Sequence, residues 1–160
     1  MKTEHRCWVY GDNVNTDVIF PGRYTYTLRE PHEIATHALE DLDPDFAPNV
    51  RPGDVIVAGA NWGCGSSREQ AVTALKFAGV ALIIASSFAR IYFRNCVNQG
   101  LLPIIIPGLN TQLRTGDTLI WDREAGTISA QGVTYPIPPL PPSVQAILDA
   151  GGLLPMLQRR

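Results

Sequence analysis

The chain has few cysteines and no local pattern of metal ligands, and this shortage excludes several classes of protein. Its three cysteines, Cys7, Cys64 and Cys96, stand far apart and form no Cys-x-x-Cys pair. An odd, scattered set of this kind suits neither a disulfide framework nor a local zinc or iron–sulfur site. We therefore expect this chain to hold no metal of its own.

Charge of one sign and long apolar runs are also lacking. The formal net charge is −2 without a basic block, which argues against a nucleic-acid partner. No apolar run approaches the roughly 18 residues of a membrane-spanning helix, and the first residues lead into no signal-peptide core. The expectation is a cytoplasmic protein with neither nucleic acid nor a membrane as its partner.

The order of apolar and amphipathic stretches predicts a single α/β domain over residues 1–160 with a mainly parallel sheet. Strands are predicted at 7–10, 54–58, 80–85 and 101–106, and helices at 31–39, 71–78, 88–99 and 143–150. Residues 11–17 and 23–30 are interpreted as loops and 41–52 as a connector. Residues 116–121 and 127–130 are typical of a hairpin, whereas 135–142 contains too many prolines for a central strand.

The stretch 59–70 collects chemically useful groups between a predicted strand and a predicted helix. This placement puts Ser66 and Ser67 at a helix N-terminus, where free N–H groups and the helix dipole attract carboxylates. Arg68 adds a planar fork that matches a carboxylate. Gly63 and Gly65 leave room for a ligand to approach the backbone. The stretch is therefore the best candidate for a binding or catalytic site.

A purely structural interpretation of this stretch stays open on spacing alone. Ser66-x-x-Glu69 has the form of a capping box, and Ser67-x-x-Gln70 repeats it one residue later. The stretch lacks the Gly-Lys-Ser/Thr of a Walker loop, and no glycine completes a nucleophile elbow around either serine. Cys64 is interpreted as a packing residue, with a reactive thiol at the helix N-terminus as the alternative.

The motif Gly-Cys-Gly-Ser-Ser-Arg-Glu, with Asn15-Thr16-Asp17 upstream and the run 86–95 downstream, closely resembles the small subunits of 3-isopropylmalate dehydratase. These small subunits are the detached swivel domain of aconitase. The resemblance extends over residues 12–107 and fades in the C-terminal third. It implies an aconitase-like swivel domain and a hydro-lyase that interconverts 2-isopropylmalate and 3-isopropylmalate by dehydration and rehydration in leucine biosynthesis.

The same resemblance implies partners. In the family a [4Fe–4S] cluster is held by cysteines of the large subunit, so a cluster-bearing large subunit is expected to supply it. The enzyme would be active only with that subunit, and this chain would bind no cofactor itself. The substrate would be a small dicarboxylic hydroxy acid. An isolated chain is also expected to form homo-oligomers, because its catalytic edge would be exposed.

The resemblance further implies roles for individual residues. Ser66 would abstract the proton from carbon, Arg68 would bind a substrate carboxylate, and Ser67 would help to hold the substrate. Asp17 would orient an acid–base histidine of the large subunit, although a turn residue is its plain alternative. Arg29 lies twelve residues beyond Asp17, as the substrate-discriminating arginine does in aconitase.

Substrate identity is left open by the segment before Arg29. Related small subunits have a Tyr-Leu-Arg-Thr-like segment there, whereas residues 23–29 depart from it, so Arg23 or Tyr24 is the alternative to Arg29. Homoaconitate or a methyl-substituted malate is the alternative substrate, because a hydrophobic pocket separates close homologues by only about 1 to 3 kcal/mol. A non-catalytic carboxylate-binding module is the alternative from another class of function.

Arg90 and Arg94 share one helix face and are interpreted as solvated or paired with the large subunit.

Overall fold

The computed structural model describes residues 1–159, and a continuous seven-stranded sheet forms its centre. The strands are β1 (Lys2–Val9), β2 (Val55–Ala58), β3 (Leu82–Ala85), β4 (Leu102–Ile105), β5 (Thr118–Asp122), β6 (Thr127–Ala130) and β7 (Val133–Pro136). They lie in the order β4-β3-β2-β1-β5-β6-β7. Pairing is parallel from β4 to β1 and antiparallel from β1 to β7. This arrangement confirms the α/β class, with a parallel core and a C-terminal hairpin.

Helices connect the parallel strands and close the chain. They are α1 (Thr16–Ile19), α2 (Pro31–Ala35), α3 (Phe46–Asn49), α4 (Gln70–Phe77), α5 (Arg90–Gln99), α6 (Pro142–Asp149) and α7 (Leu153–Gln158). The three parallel crossovers contain α1 to α3, between β1 and β2, α4, between β2 and β3, and α5, between β3 and β4. Gly100 ends α5 in the left-handed conformation, with φ at 78°, as expected for a glycine just after a helix.

The parallel strands are buried on both faces. One face packs against α4 and α5 in a core that includes Ile56, Ile83, Leu75 and Cys96. The other face packs against the antiparallel strands in a core that includes Val57, Ile84, Leu119 and Ile128. The antiparallel ribbon therefore curls back over the sheet. This double burial explains why β2 and β3 are continuous apolar runs without alternation.

Some elements differ from the sequence-based expectations. The first strand begins at Lys2 instead of residue 7, because residues 2–6, whose side chains are polar, pair with β5. The short helix α1 overlaps the end of the predicted loop at 11–17, α3 lies inside the predicted connector at 41–52, and α7 was not predicted. Each of these three has only four to six residues, too few to show a helical period.

The start of α5 was also predicted incorrectly. The helix begins at Arg90 instead of residue 88, since Phe88 forms a parallel bridge with Trp62. The hydroxyl groups of Ser86 and Ser87 do not cap this helix. They accept hydrogen bonds from backbone N–H groups of the neighbouring loops. The pair of serines therefore joins loops at the carboxyl ends of the strands.

Asp54 stabilises the junction of β1 and β2 from a buried position. Its Oδ2 accepts hydrogen bonds from Arg6 Nη2 at 2.7 Å, from Trp8 Nε1 at 2.9 Å and from the backbone N of Arg51 at 2.9 Å. Burial opposes ionisation, but the hydrogen bonds from Arg6, Trp8 and Arg51 outweigh it and hold the pKa of Asp54 below its usual value. The carboxylate is thus ionised, and its Oδ2 links the side chains of β1 to the backbone that precedes β2.

Replacing Asp54 with asparagine is expected to lower the free energy of unfolding by about 3 kcal/mol, because Arg6 loses its partner in a poorly solvated position. Urea unfolding of the isolated chain at neutral pH measures this loss. Asp45→Asn is the control, since that carboxylate is exposed. A loss below about 1 kcal/mol, the range of a surface ion pair, would contradict the assignment.

The Asp54 carboxylate should also make the free energy of unfolding depend on pH. Because the pKa of Asp54 is lower in the folded than in the unfolded state, its stabilisation is present above the unfolded value of about 3.9 and is lost as the pH falls through the folded value. The wild-type chain should therefore lose more stability below about pH 4 than the Asp54→Asn variant does.

Candidate active site

The candidate site is built on the loop between β2 and α4. Two backbone hydrogen bonds join this loop to the segment after β1: Gly63 N donates to Val14 O at 2.8 Å, and Thr16 N donates to Cys64 O at 2.9 Å. The loop is joined to the segment after β3 as well, since Ala89 N donates to the Trp62 carbonyl at 2.9 Å. The connections that leave the carboxyl ends of three parallel strands therefore meet here, where ligands bind in open α/β sheets.

Gly63 lets the loop pack directly onto α5. Its φ is +81°, and a Cβ at this position would lie 2.1 Å from Cγ of Tyr92. Tyr92 is itself fixed, because it is buried and its hydroxyl donates to the Ala71 carbonyl at 3.0 Å. No residue other than glycine fits at position 63 without moving the ring.

The prediction that Ser66 and Ser67 lie at a helix N-terminus is wrong. The helix begins at Gln70, with Glu69 as its N-cap residue and no side-chain capping hydrogen bond. The cause lies in tertiary contacts, because the Thr16 hydroxyl donates to the Ser66 carbonyl at 2.8 Å and holds Ser66 against α1. The alternative capping-box interpretation fails for the same reason. The helix dipole therefore contributes little at the serines, and the positive charge near them comes from the side chains of Arg68 and Arg90.

Arg68 is held by two partners from different segments. Its Nη2 forms an ion pair with Asp17 Oδ1 at 2.7 Å, and its Nη1 donates to the Thr25 hydroxyl at 2.9 Å. The guanidinium lies against Gly22, where a Cβ would be only 3.0 Å from Nη1. The structure thus brings Asp17 and Arg68 together, although they are distant in sequence. The Asp17 carboxylate is therefore already paired within this chain.

A cavity of about 240 Å³ opens beside these groups. Its lining includes Ser66, Ser67 and Arg68 from the loop, and Ile91 and Asn95 from α5. Both serine side chains are exposed, and neither hydroxyl has a hydrogen-bond partner within residues 1–159. The Nδ2 of Asn95 is buried and also lacks a partner in this part of the chain. The cavity therefore offers free hydroxyls, an amide and two guanidinium groups, those of Arg68 and Arg90.

The remaining predicted site residues lie apart from the lining of this cavity. Arg23 pairs with Glu40 at 2.6 Å and with Asp41 at 3.1 Å, while the Tyr24 hydroxyl donates to Glu40 at 3.1 Å. A hydrogen bond from His37 helps to hold the pKa of Glu40 below its usual value. The polar groups of Arg23 and Tyr24 thus bind the carboxylates of Glu40 and Asp41 within this chain.

Arg29 is different, because its side chain is exposed and forms no hydrogen bond or ion pair within the described residues. It follows directly after a segment that is tied to α4, since Gln70 Nε2 donates to the Thr25 and Leu28 carbonyls at 3.0 and 3.3 Å. Its role in discriminating substrates stays a prediction.

Thr16, Thr25 and Gln70 support the site and were missed in the sequence. Thr16 lies inside the Asn-Thr-Asp motif, so its position next to Asp17 was an available signal. Thr25 gave no signal, and Gln70 was interpreted only as a capping residue, because their hydrogen bonds join segments more than 40 residues apart, 43 for Arg68–Thr25 and 45 for Gln70–Thr25.

Comparison with known proteins places this geometry in a family. Residues 14–108 match the family described as the aconitase C-terminal domain. The whole chain is 44% identical to the 3-isopropylmalate dehydratase small subunit of Moorella thermoacetica and covers 97% of it. The chain belongs to this small-subunit family. Its counterpart in Nautilia profundicola is 49% identical over 93% of this chain and 90% of that protein.

The fold agrees with this membership. The crystal structure of 3-isopropylmalate dehydratase from Methanocaldococcus jannaschii superimposes with a TM-score of 0.92 at 41% sequence identity, covering 100% of this chain and 95% of that one. The predicted resemblance is therefore confirmed. Like its family, this chain is part of a hydro-lyase.

Residues 1–159 contain no cluster of candidate metal ligands and no helix that could span a membrane. Within 1–159, no three His, Cys, Asp or Glu side chains come together as candidate metal ligands. Cys7 and Cys96 are buried in separate cores, so a [4Fe–4S] cluster does not fit the cysteines of the described chain. None of the helices described here has the length and apolar character needed to span a membrane.

The three thiols are expected to react very differently. Burial, with the nearby charges of Asp117 and Asp54, raises the pKa of Cys7 to about 12, and burial also raises the pKa of Cys96. Cys64 is only half-buried. Iodoacetamide should therefore add once to the folded chain, at Cys64, and three times in denaturant, as measured by intact mass.

The control for this labelling is Cys64→Ser, which should show no adduct while folded. Labelling of Cys7 or Cys96 at a comparable rate in the folded chain would contradict their burial.

Proposed function

We propose that this chain is the small subunit of a dehydratase that interconverts 2-isopropylmalate and 3-isopropylmalate in leucine biosynthesis, acting in the cytoplasm. The observation that carries the proposal is the open cavity shared by Ser66, Ser67 and Arg68. A groove of this kind, with free hydroxyls beside a guanidinium, suits a hydroxy acid with carboxylate groups. The names and full-length identity of the relatives support the specific substrate.

The reaction makes three chemical demands, and this chain meets two of them. Arg68 binds a substrate carboxylate, because its fork offers N–H groups beyond those used by Asp17 and Thr25. Ser66 accepts the proton from the carbon next to that carboxylate. Ser67 and Asn95 hold the substrate in the cavity. The remaining demand, departure of hydroxide, needs a Lewis acid.

Serine is a weak base, so its environment must stabilise the alkoxide. The guanidinium of Arg68, two residues along the loop, supplies a positive charge that is fixed in place by Asp17 and Thr25. A fixed charge in a site closed to water stabilises an oxyanion strongly, because it needs no reorganisation during the reaction. Closure of the cavity by a partner is therefore part of the proposal.

The partner is a large subunit that bears an iron–sulfur cluster. Two observations support an incomplete site in this chain. The serines are exposed at the cavity, and no histidine is among the residues that line it. His5 bonds to Thr3 and Gly53, and His37 bonds to Glu40, so both are engaged elsewhere. We assign a second acid–base group and the Lewis acid to the large subunit.

The test is reconstitution. The purified chain is mixed with a cluster-bearing large subunit, and the unsaturated acid intermediate is followed by its ultraviolet absorbance with isopropylmalate, homoaconitate and methyl-substituted malates in parallel. Turnover of isopropylmalate with both chains, and with neither alone, is expected. If the complex turned over another diacid faster, that diacid would take the place of isopropylmalate as the proposed substrate. An absence of turnover with all of them, accompanied by diacid binding to this chain alone, would favour a non-catalytic carboxylate-binding module.

A further inference from the structure

We infer that Gln70 is a positioning residue, which fixes the segment 25–28 so that Thr25 can hold the guanidinium of Arg68 in its binding orientation. This inference rests on the proposed function for its catalytic consequence. Its structural part, the tether between Gln70 and the segment, concerns this chain alone and is measured without activity.

The contacts form a chain of hydrogen bonds from α4 to the candidate substrate-binding group. Gln70, half-buried at the first turn of α4, donates from its single amide nitrogen to both the Thr25 carbonyl and the Leu28 carbonyl, at 3.0 and 3.3 Å. The hydroxyl of the same Thr25 accepts from Arg68 Nη1 at 2.9 Å. Both N–H groups of the amide are used, so the side chain has one orientation.

Apart from the bond between Arg68 and the Thr25 hydroxyl, the other polar contacts of the segment are local. Its backbone bonds run from Thr25 to the Gly22 carbonyl and from Thr27 and Leu28 to the Tyr24 carbonyl, at 3.1 to 3.2 Å. Tyr26, between them, is 86% exposed. Local turn bonds fix the shape of such a segment but not its distance from α4. The packing of Leu28 against the core brings the segment close to α4, and the two hydrogen bonds from the Gln70 amide then fix the position of Thr25 and its hydroxyl.

A second consequence concerns Arg29, the candidate for discriminating substrates. Arg29 follows Leu28 directly. The hydrogen bond from Gln70 to the Leu28 carbonyl therefore fixes the peptide group that joins Leu28 to Arg29. One side chain thus positions the partner of Arg68 and the backbone that precedes Arg29. Loss of the tether should affect binding of the substrate more than the chemical step, since Ser66 is held separately by Thr16.

The experiment compares Gln70→Leu with Gln99→Leu. Gln99 makes the same kind of contact on another side of α4, since its amide nitrogen donates to the Glu69 carbonyl at 2.9 Å. Amide hydrogen exchange of the isolated chain should become about tenfold faster at Thr27 and Leu28 in Gln70→Leu, as expected for loss of about two hydrogen bonds. It should stay unchanged there in Gln99→Leu.

With the large subunit present, Gln70→Leu should raise KM about tenfold while kcat changes less than about twofold. Gln70→Glu should have at least as large an effect, because a carboxylate of the same shape accepts hydrogen bonds and cannot donate to two carbonyls. Gln99→Leu should leave KM unchanged. A purely structural role would instead lower thermal stability in both leucine variants without separating their KM values.

Unchanged exchange in both Gln70 variants would overturn the inference, as would an equal rise in KM for Gln99→Leu. Should even the wild-type pair show no turnover, the proposed function fails, yet the exchange rates still decide whether Gln70 tethers the segment. Gln70→Glu also covers the case in which Gln70→Leu does not fold.

Discussion

Removing the Ser66 hydroxyl is expected to lower kcat of the reconstituted enzyme by about 10³-fold, within the range that positioned general bases contribute. Ser66→Ala removes little else. The bond between Thr16 and residue 66 uses the backbone carbonyl, so it survives the substitution. The hydroxyl is exposed and has no partner within the described chain, so the fold loses no hydrogen bond with it. KM should change little, because Arg68 still binds the carboxylate.

The measurement is turnover of isopropylmalate with the large subunit in excess, alongside the melting temperature of each variant. Ser143→Ala is the matched control, because Ser143 is an exposed serine of α6 far along the chain from this loop. Ser67→Ala is expected to act mainly on KM. If Ser66→Ala retained more than about a tenth of wild-type kcat, the proton-abstracting role would have to pass to another group.

Arg68→Gln is expected to reduce kcat/KM by about 10²- to 10³-fold, mostly through KM. The reason is twofold, since the substrate loses a charge-assisted fork and Asp17 loses its partner. An unpaired carboxylate then repels the carboxylates of the substrate. Arg68→Lys should recover only part of the loss, because an ammonium group cannot bridge Asp17, Thr25 and a substrate in the fixed geometry of a guanidinium.

The two contributions can be separated with a double-mutant cycle. Adding Asp17→Asn to Arg68→Gln should recover some of the lost affinity, because the repelling charge is gone. Arg114→Gln, at an exposed position in another part of the chain, serves as the control. If Arg68→Gln left KM unaltered, the guanidinium would be a structural clamp for Asp17 and not a substrate ligand.

The sequence predicted the parts of the fold that depend on local patterns. β2, β3 and β4 are apolar runs bounded by turn residues, and Gly100 marks the end of α5. β1 was predicted too short because half of it pairs with β5, which is over 100 residues away in the chain. The pattern of a strand is visible when both faces are buried and fades where the side chains are polar and partly exposed, as in residues 2–6.

The same distinction applies to the site. The serines and Arg68 could be found because a surplus of polar groups follows a buried strand. Their relation to α4 could not be found, since the contact that decides it joins Thr16 to a carbonyl 50 residues later. Pairing of Asp17 with Arg68 also depends on how two loops meet. The start of α4 was predicted to within one residue, but the capping signals near residue 66 wrongly placed the serines at its N-terminus, because tertiary hydrogen bonds outweighed them.

The loop that carries Ser66 is anchored at several points before any second polypeptide arrives. Gly63 packs on a fixed Tyr92 ring, and backbone bonds join the loop to the segments after β1 and β3. The loop therefore loses its conformational entropy when this chain folds and not when the subunits associate. Assembly with a partner then needs little induced fit on this side of the interface.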